Sequence, residues 1–349
     1  MARVLIDLYK AKDLYSGLGQ FSVNFTEALI AHPRTDQDIT FLTPRKFTWP
    51  SLKGQNAEEV NTLKRYFPQF NKKYDVWHSL HQFPSHFPRS GSKFILTVHD
   101  LNFMLEKSAA KAEKYRTTLQ RNLDRADAVT AISHFTKGML EQHNELRGKV
   151  VRVIHNGVRM DQYPTASKPS FTDHRKFFLA IGVFKEKKNL HTLLPLMKHF
   201  PDHQLVMAGN HNTPYGADVK RSIVALGLEH QVQLPGAVDD GTKYWLYKHC
   251  EALLFPSLAE GFGMPVIEAL GLGTPVFATR HTSVPEVGGD AAYYFDGTDP
   301  VHMAAVISEK LAEHKSSGQV AIARAQGQAA KFIWSDRIKE YQNLYAELL

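Results

Sequence analysis

Residues 255–268 read FPSLAEGFGMPVIE, and this stretch decides how the second half of the chain folds. The apolar run 252–255 before it has the composition of a buried strand, and a helix is expected from about Pro265. A strand, a glycine-containing loop and a helix in this order direct the loop N–H groups and the positive helix end toward one point, where an anion such as a phosphate binds. Gly261 and Gly263 let the backbone approach such a ligand closely.

Two carboxylates, Glu260 and Glu268, lie on either side of these glycines. The order of elements places Glu260 in the loop, facing the ligand, and Glu268 about one turn into the helix. A carboxylate accepts paired hydrogen bonds from a vicinal diol, so two of them beside a phosphate site suit a sugar nucleotide. A lone glutamate at a helix start is more often a partner of the helix dipole, and a lone Gly-x-Gly is more often a turn, so the prediction depends on both together.

The two glutamates and the loop between them resemble the glutamate-x7-glutamate signature of the retaining GT-B glycosyltransferases of group 1, family four, which include the glycogen and sucrose synthases. In that family the first glutamate contacts the donor sugar and the second contacts the ribose of the nucleotide. The resemblance therefore assigns the sugar to Glu260 and the ribose to Glu268. The donor-binding loop between them consists of Gly261, Phe262, Gly263 and Met264.

The composition indicates a globular chain of two domains. A length of 349 residues with 43% hydrophobic content is enough for two cores of ordinary size. No apolar run reaches the roughly eighteen residues of a membrane-spanning helix, and the strand-like segment 4–8 begins without a signal-peptide pattern. The single cysteine, Cys250, excludes an internal disulfide and fits a reducing compartment, so a cytoplasmic protein is expected.

Charge is distributed unevenly along the chain. Residues 1–170 contain 25 Lys and Arg against 16 Asp and Glu, whereas the remainder contains 17 against 19, in agreement with the overall charge of +7. A basic first half implies an anionic partner, which can be an acidic membrane surface, a lipid-pyrophosphate acceptor or nucleic acid. No recognition motif for nucleic acid accompanies the charge, so nucleic acid is not expected as a partner.

Apolar runs alternate with helical patterns through both halves, which predicts an α/β fold with parallel sheets. Strands are predicted at 3–8, 39–42, 76–79, 94–98, 128–132, 150–154, 177–182, 204–208, 232–234, 252–255, 275–278 and 292–295. Helices are predicted at 19–31, 109–125, 133–145, 189–199, 216–226, 240–249, 265–270 and 301–316. The two halves therefore have the same α/β organisation.

A stretch of linker composition at 164–173 separates the halves. We predict an acceptor-binding Rossmann-like domain over 1–168 and a donor-binding Rossmann-like domain over 169–330. The GT-B resemblance implies that the two domains face each other across a cleft and that the terminal helix, 331–349, crosses back to the first domain. Because ligands bind at the carboxyl ends of parallel strands, the active site is expected in that cleft.

Residues 15–20, YSGLGQ, follow the first strand and open a helix. A dinucleotide fingerprint fits poorly, because its third glycine is replaced by Ser22. A tight turn is one interpretation. The family resemblance implies another, in which Gly17 and Gly19 form a loop that reaches toward the donor phosphates and the acceptor. Family members often have arginine where this chain has Gln20, which removes a cation and leaves the contacts of Gln20 open.

His99 comes directly after the predicted strand 94–98, which places it at the carboxyl edge of the first sheet. A histidine is more often a structural hydrogen-bonding residue than a ligand-binding one. The family has a histidine at this place that contacts the donor sugar, and the resemblance assigns that role to His99. His78 and His81, after the preceding strand, are weaker candidates.

Lys187 and Lys188 lie at a strand-to-helix junction of the second half. A solvated charge run is one interpretation. Neutralisation of a pyrophosphate, whose charge grows as the glycosidic bond breaks, is the other. The phosphate-binding basic pair of the family, often Arg-Lys, falls here. Since a lysine lacks the bidentate fork of arginine, the anchoring role belongs more securely to Lys188.

Residues 235–243, PGAVDDGTK, precede a helix, so an aspartate here can be its N-terminal cap. Base recognition is the competing interpretation, because guanine presents two adjacent donors that one carboxylate accepts, whereas uracil presents one. The stretch resembles the base-binding loop of GDP-mannose users in this family. The resemblance assigns base contacts to Val238, Asp240 and Lys243, and a uridine nucleotide stays open as the alternative.

Basic and aromatic residues are interleaved in the first half, at 45–50, 64–67 and 72–74. Such clusters gain about 1 kcal/mol per charge near an acidic leaflet, and aromatic rings favour the membrane interface. A solvated basic face is the alternative. We predict weak, salt-sensitive association with anionic membranes.

We therefore expect a retaining glycosyltransferase that moves a sugar, mannose from GDP-mannose by preference, to a glycan or glycolipid acceptor in surface polysaccharide or lipopolysaccharide synthesis. The catalytic candidates are Glu260, His99 and Lys188. No cofactor or metal is expected, because no Asp-x-Asp pair follows a strand and the lysines and helix terminus take the place of a divalent cation. A UDP-sugar transferase of the same fold, a nucleotide-sugar 2-epimerase and a non-catalytic sugar-nucleotide-binding subunit stay open.

Overall fold

A computed structural model of the chain describes residues 1–12, 17–47, 49–159, 167–173 and 175–349. The chain forms two compact units. The first consists of Met1–Gly157 and Trp334–Leu349, and the second of Val158–Ile333. Each unit contains one parallel sheet with helices, which confirms the predicted α/β architecture of two Rossmann-like domains.

Thirteen strands build the two sheets in the described part of the chain. They are β1 (Ala2–Asp7), β2 (Gln37–Thr43), β3 (Ala57–Glu59), β4 (Val76–Ser79), β5 (Lys93–Val98), β6 (Ala128–Ala131), β7 (Val151–Val153), β8 (Lys176–Ile181), β9 (His203–Ala208), β10 (Val232–Gly236), β11 (Ala252–Phe255), β12 (Val276–Thr279) and β13 (Tyr293–Phe295). The first sheet has the order β3-β2-β1-β4-β5-β6-β7 and the second the order β10-β9-β8-β11-β12-β13.

The helices lie between and after these strands. They are α1 (Gly17–Ala31), α2 (Thr62–Tyr66), α3 (Phe103–Glu106), α4 (Ala109–Arg125), α5 (His134–His143), α6 (Leu193–Leu196), α7 (Pro214–Ala225), α8 (Asp240–His249), α9 (Met264–Gly271), α10 (Val284–Gly288), α11 (Pro300–Ser317), α12 (Gln319–Ala330) and α13 (Trp334–Glu347). Most agree with the predicted helices within a few residues, because apolar periodicity is a local property of the sequence.

The two faces of the first sheet have separate cores. Side chains alternate along a strand, so Val4 and Ile6 of β1 pack with α1 and α13, whereas Leu5 packs on the opposite face with leucines of α4. Burial on both faces explains why these strands read as continuous apolar runs rather than as alternating ones. The edge strand β3 was not predicted, because its three residues, AEE, contain no apolar run.

The terminal helix α13 belongs to the first unit, as expected from the resemblance. Ile338 and Tyr341 are buried in the core that also contains Phe25 of α1. The rings of Phe25 and Tyr341 lie 5.1 Å apart, edge to face. The Tyr345 hydroxyl lies 2.8 Å from Nδ1 of His78, at the centre of the sheet. The last helix thus supplies part of the core of the first unit.

The predicted helix over 189–199 is helical over 190–199, but only its central turn is α-helical. The segment forms 3-10 turns on both sides of the single α-turn α6. Pro195 has no N–H to donate within a helix, which interrupts a regular α-helical ladder. Its leucines are buried all the same, because Leu193, Leu194 and Leu196 pack into the core of the second unit.

The second unit begins at Val158. Val158 forms a parallel bridge with Ile333, and its N–H donates to the carbonyl of Phe332 over 2.6 Å. The predicted boundary between 168 and 169 stays a prediction, since residues 160–166 lie outside the described part of the chain. Among the described helices, none combines the length and apolarity needed to cross a bilayer.

Candidate functional site

Lys188 and Glu260, two of the three predicted catalytic residues, are in direct contact in the second unit. Lys188 follows β8 and Glu260 follows β11, so both lie beyond the carboxyl ends of neighbouring strands. Nζ of Lys188 lies 2.6 Å from Oε1 of Glu260, and the side chains are 15% and 11% exposed. The same ammonium lies 5.1 Å from the ring centroid of Phe255. The fold thus creates a charged pair that is nearly shielded from water.

The loop after β8 has room for the Lys188 side chain because residue 182 is glycine. A Cβ at Gly182 would lie 3.3 Å from Cε of Lys188, and the backbone there has φ +141°, which L side chains rarely adopt. Half-buried Lys187 takes part in this loop through its carbonyl, which accepts the N–H of Leu258 over 2.8 Å. The lysine loop and the glutamate loop are therefore joined through the backbone.

The backbone of Glu260 is held by two hydroxyls from the loop after β12. Its N–H donates to Oγ1 of Thr282 over 3.0 Å. Oγ of Ser283 donates toward the carbonyls of Glu260, at 3.1 Å, and Phe262, at 3.0 Å. Neither contact could be predicted from the sequence, because each joins residues more than twenty positions apart.

The helix α9 begins without a side-chain cap. Gly263 occupies the N-cap position at φ +103°, and it has no side chain to accept the first N–H groups. A Cβ there would meet only ordinary contacts at 3.8–3.9 Å, so the dihedral angle rather than lack of space requires glycine. Uncapped N–H groups and the helix dipole together favour an anion at this end.

The other residues of the glycine loop have different surroundings. The ring of Phe262 is buried and lies 5.6 Å from that of Phe332 within the second unit, so its side chain contributes to packing. Gly261 and Met264 are half-buried. The side chain of Phe262, which was predicted to bind the donor, is therefore part of the packing of the second unit.

Glu268 lies within α9, as predicted, and both of its carboxylate oxygens have partners. Oε2 accepts the Tyr247 hydroxyl over 2.8 Å, and Oε1 lies 3.4 Å from Nζ of Lys243. Lys243 is also 3.3 Å from the carboxylate of Asp240. The negative charge of Glu268 is the main cause that raises the pKa of Lys243, so this lysine stays charged between two acids. Three of the predicted nucleotide-binding side chains are thereby brought together.

The cap of α8 is Asp239, whose Oδ1 accepts the N–H of Thr242 over 2.7 Å. The capping interpretation of this loop therefore applies to Asp239. The carboxylate of Asp240 is 69% exposed and is held only at one side by Lys243. Val238 is half-buried.

Tyr247 was missed as a partner of Glu268. It lies four residues after Lys243 on α8 and therefore on the same helical face. This spacing is the sequence signal that could have identified it. Its ring is buried, and its hydroxyl is directed at the Glu268 carboxylate.

His99, the third predicted catalytic residue, is a buried residue of the first unit. It follows β5, and Nε2 lies 2.7 Å from the carbonyl of Leu80. Burial lowers the pKa of His99, so the ring is neutral at pH 7. A carbonyl only accepts, so Nε2 has the proton and Nδ1 has the lone pair. The ring meets Phe21 edge to face at 4.6 Å.

Gly17 and Gly19 lie in the first turn of α1, also in the first unit. Gly17 is exposed, Gly19 is buried and Gln20 is half-buried. The preceding residues of the YSGLGQ motif, 15 and 16, lie outside the described residues. The contacts predicted for this loop stay predictions.

His78 has a structural role in the core of the first unit. It is fully buried between the Tyr345 hydroxyl, at 2.8 Å, and Oγ1 of Thr97, at 2.7 Å. Burial lowers the pKa of His78 to about 3, so it is a neutral hydrogen-bonding link between β4, β5 and α13. His81 is also neutral, since burial lowers its pKa to about 3.

Asp7 at the carboxyl end of β1 was not singled out from the sequence. Its Oδ1 accepts the N–H of Tyr9 over 2.9 Å, and its side chain is buried. Burial raises the pKa of Asp7 to about 6, although Lys10 opposes this. A carboxylate that ends an apolar strand is the signal that could have found it.

Two family models match adjacent parts of the chain. The model of the group 1 glycosyl transferases matches residues 164–326, and the model of glycosyltransferase family 4 matches residues 25–162.

Two mannosyltransferases are similar in sequence. O-antigen chain mannosyltransferase B of Escherichia coli is 26% identical over 274 residues, which are 74% of this chain and 71% of that protein. O-antigen chain mannosyltransferase RfbU of Salmonella typhimurium is 26% identical over 205 residues, 58% of this chain and 57% of that protein. Sucrose-phosphate synthase from Thermosynechococcus elongatus has a similar fold, with a TM-score of 0.80 at 17% identity over 100% of this chain and 99% of the other.

Proposed function

The chain belongs to the group 1 glycosyltransferases of the GT-B fold, and on this premise we propose that it transfers mannose from GDP-mannose, with retention, to a glycan or glycolipid acceptor of surface polysaccharide or lipopolysaccharide synthesis. The observation that carries the proposal is the contact of Lys188 with Glu260 beside the uncapped start of α9. The O-antigen mannosyltransferases among its relatives support the choice of mannose.

The donor diphosphate would lie against the start of α9 and the lysine loop. Lys188 and Lys187 would neutralise the charge that the diphosphate gains as the glycosidic bond breaks. An ammonium group has three donors, so Lys188 can hold a phosphate oxygen while it keeps its contact with Glu260. These cations make a divalent metal unnecessary, so we expect turnover to persist in excess chelator.

Glu260 of the second unit and His99 of the first are the residues that we assign to the donor sugar. The Glu260 carboxylate would orient the sugar and stabilise positive charge at the anomeric carbon. The neutral His99 ring would accept a sugar hydroxyl at Nδ1. The acceptor oxygen forms its bond to the anomeric carbon on the face from which the phosphate departs. The bonding electrons leave with the nucleoside diphosphate, whose phosphate oxygen takes the acceptor proton.

The nucleoside would contact the group of polar side chains that α8 and α9 bring together, which are Asp240, Lys243, Tyr247 and Glu268. Glu268 has one partner at each oxygen, and a carboxylate has further lone pairs with which to accept the ribose diol. The exposed Asp240 carboxylate would accept the two adjacent guanine donors, with Val238 and Lys243 beside it.

Calorimetric titration with GDP and UDP, in chelator, tests the base. We expect GDP to bind and UDP to bind at least about tenfold more weakly, a difference of about 1.4 kcal/mol. Asp240→Asn should abolish this preference. Asp239→Asn is the matched control, since asparagine caps a helix as well as aspartate does. Preference for UDP would move the donor to a uridine sugar, and binding of neither would refute the nucleotide site.

Turnover distinguishes the remaining functions. Release of GDP from GDP-mannose only when an acceptor is present supports transfer. Conversion of the sugar nucleotide without an acceptor would indicate a 2-epimerase. Binding of the donor without GDP release for any acceptor would indicate a non-catalytic subunit.

We also propose that the first unit contacts anionic membranes through the docking segment 62–70. Its exposed apolar side chains are Leu63 (54% exposed), Tyr66 (69%), Phe67 (48%) and Phe70 (56%). Residues 61–74 contain four basic and no acidic residues, although Glu58 pairs with two of the four, at 3.4 and 2.6 Å. Apolar rings among cations suit an acidic bilayer surface.

Flotation with acidic and neutral liposomes tests the docking segment. Binding to acidic liposomes at low salt should be lost in Tyr66→Ser/Phe70→Ser and at high salt. Val224→Ser, at a 63% exposed position on the second unit, is the control and should bind like the wild type. Absence of wild-type binding at low salt would refute this part of the proposal.

A further inference from the structure

Thr282 has a backbone conformation that β-branched residues rarely adopt. Its φ is +55°, in the left-handed region. Crowding at Cβ makes this region unfavourable for a threonine, so the surroundings must hold it there. Residues with such strained backbone angles cluster at active sites and ligand-binding sites. A contact that depends on this conformation of Thr282 is therefore expected.

That partner is the backbone of Glu260. Oγ1 of Thr282 accepts the N–H of Glu260 over 3.0 Å, and the neighbouring Ser283, which is fully buried, directs its hydroxyl to the Glu260 carbonyl at 3.1 Å. The peptide groups on both sides of Glu260 are thus held by consecutive hydroxyls. The side chain between them has its carboxylate 2.6 Å from Lys188.

We propose that Thr282 and Ser283 are positioning residues, which fix the backbone of Glu260 so that its carboxylate is held at the anomeric centre of the donor. The inference rests on the proposed role of Glu260. The strained loop after β12 then sets the rate of transfer without touching the donor. A displacement of about 1 Å at a reacting centre can lower a rate about a hundredfold, so hydroxyls that hold Glu260 in place have a measurable effect.

Thr282→Gly separates positioning from stability. Glycine adopts φ +55° without strain, which offsets the lost hydrogen bond and the greater unfolded-state entropy of glycine, so this variant should melt near the wild-type temperature. It also loses the acceptor for the Glu260 N–H. We expect kcat to fall about tenfold or more, while KM for the sugar nucleotide and GDP affinity change less than about twofold. Thr282→Ser retains the hydroxyl and should recover most of the rate.

His281→Gly is the matched control, since it adds the same flexibility one position earlier at an exposed residue. It should keep the wild-type kcat. Ser283→Ala is a second variant, which removes the other hydroxyl and should lower kcat in the same way. A stable Thr282→Gly protein with wild-type kcat would overturn the proposal, as would equal loss of kcat in His281→Gly.

Glu260→Gln in the same assay separates this inference from the proposed function. If Glu260→Gln keeps the wild-type rate, Glu260 is not catalytic and both proposals fail. If Glu260→Gln loses the rate while the Thr282 and Ser283 variants keep it, only the positioning role fails. Loss of rate in all three, with GDP affinity intact, supports both.

Discussion

The pair of Lys188 and Glu260 allows a prediction that joins stability to turnover. Lys188→Met removes the ammonium but retains an unbranched side chain that can still pack against Phe255. Glu260 then remains 11% exposed without its cation at 2.6 Å. Exposed ion pairs contribute about 0–1 kcal/mol, whereas removal of one partner from a buried pair costs about 3–5 kcal/mol. For a pair that is shielded but not fully buried, we expect the second unit to lose about 2–3 kcal/mol.

A double-mutant cycle measures the coupling itself. Glu260→Gln in the Lys188→Met background removes the unpaired charge, so the double variant should cost less than the sum of the single ones. We expect a coupling free energy of about 1–2 kcal/mol, as is typical for residues in contact. Urea unfolding should be followed by circular dichroism and fitted with two transitions, because the chain has two units. The transition that GDP shifts belongs to the unit that binds it.

Turnover should respond more strongly than stability. Loss of one preorganised electrostatic partner typically lowers kcat about 10²–10³-fold, and we expect Lys188→Ala and Glu260→Ala to abolish measurable transfer while the protein stays folded. Additivity of the two stability changes within about 0.5 kcal/mol would show that the contact has no energetic role. Wild-type rates in either alanine variant would refute the catalytic assignment.

Three further changes test other parts of the molecule. Asp7→Asn should stabilise the first unit by up to about 3 kcal/mol above pH 6: the folded-state pKa of about 6 lies above the ordinary 3.8, so ionisation opposes folding. Thermal melts should show this gain disappearing between pH 6 and about 4. Tyr247→Phe removes the hydroxyl at Glu268, and GDP affinity by calorimetry should fall a few fold, with unchanged affinity contradicting the ribose assignment. Gly263→Ala should lower stability by about 1–2 kcal/mol through its φ of +103°, whereas the helical control Gly138→Ala should not.

The two α/β halves and most of their strands could be predicted from the sequence. Segments such as Val76–Ser79 and Ala252–Phe255 were predicted with their observed bounds, because a strand buried on both faces is a continuous apolar run. The spacing of Glu260 and Glu268 is also local, so strand, loop and helix around them could be predicted. Where the signal is not apolar, as in the edge strand Ala57–Glu59, it was missed.

Which side chains meet depends on the tertiary fold. Lys188 and Glu260 are 72 residues apart in the chain, and parallel pairing of β8 with β11 brings the loops that hold them together. The same holds for Thr282, whose hydroxyl reaches Glu260 only because β12 lies beside β11. Propensity and periodicity describe neighbours along the chain, whereas a site depends on crossover connections that bring distant strand ends to one edge. The sequence therefore determined what kinds of residues the site contains, and the fold decided their partners.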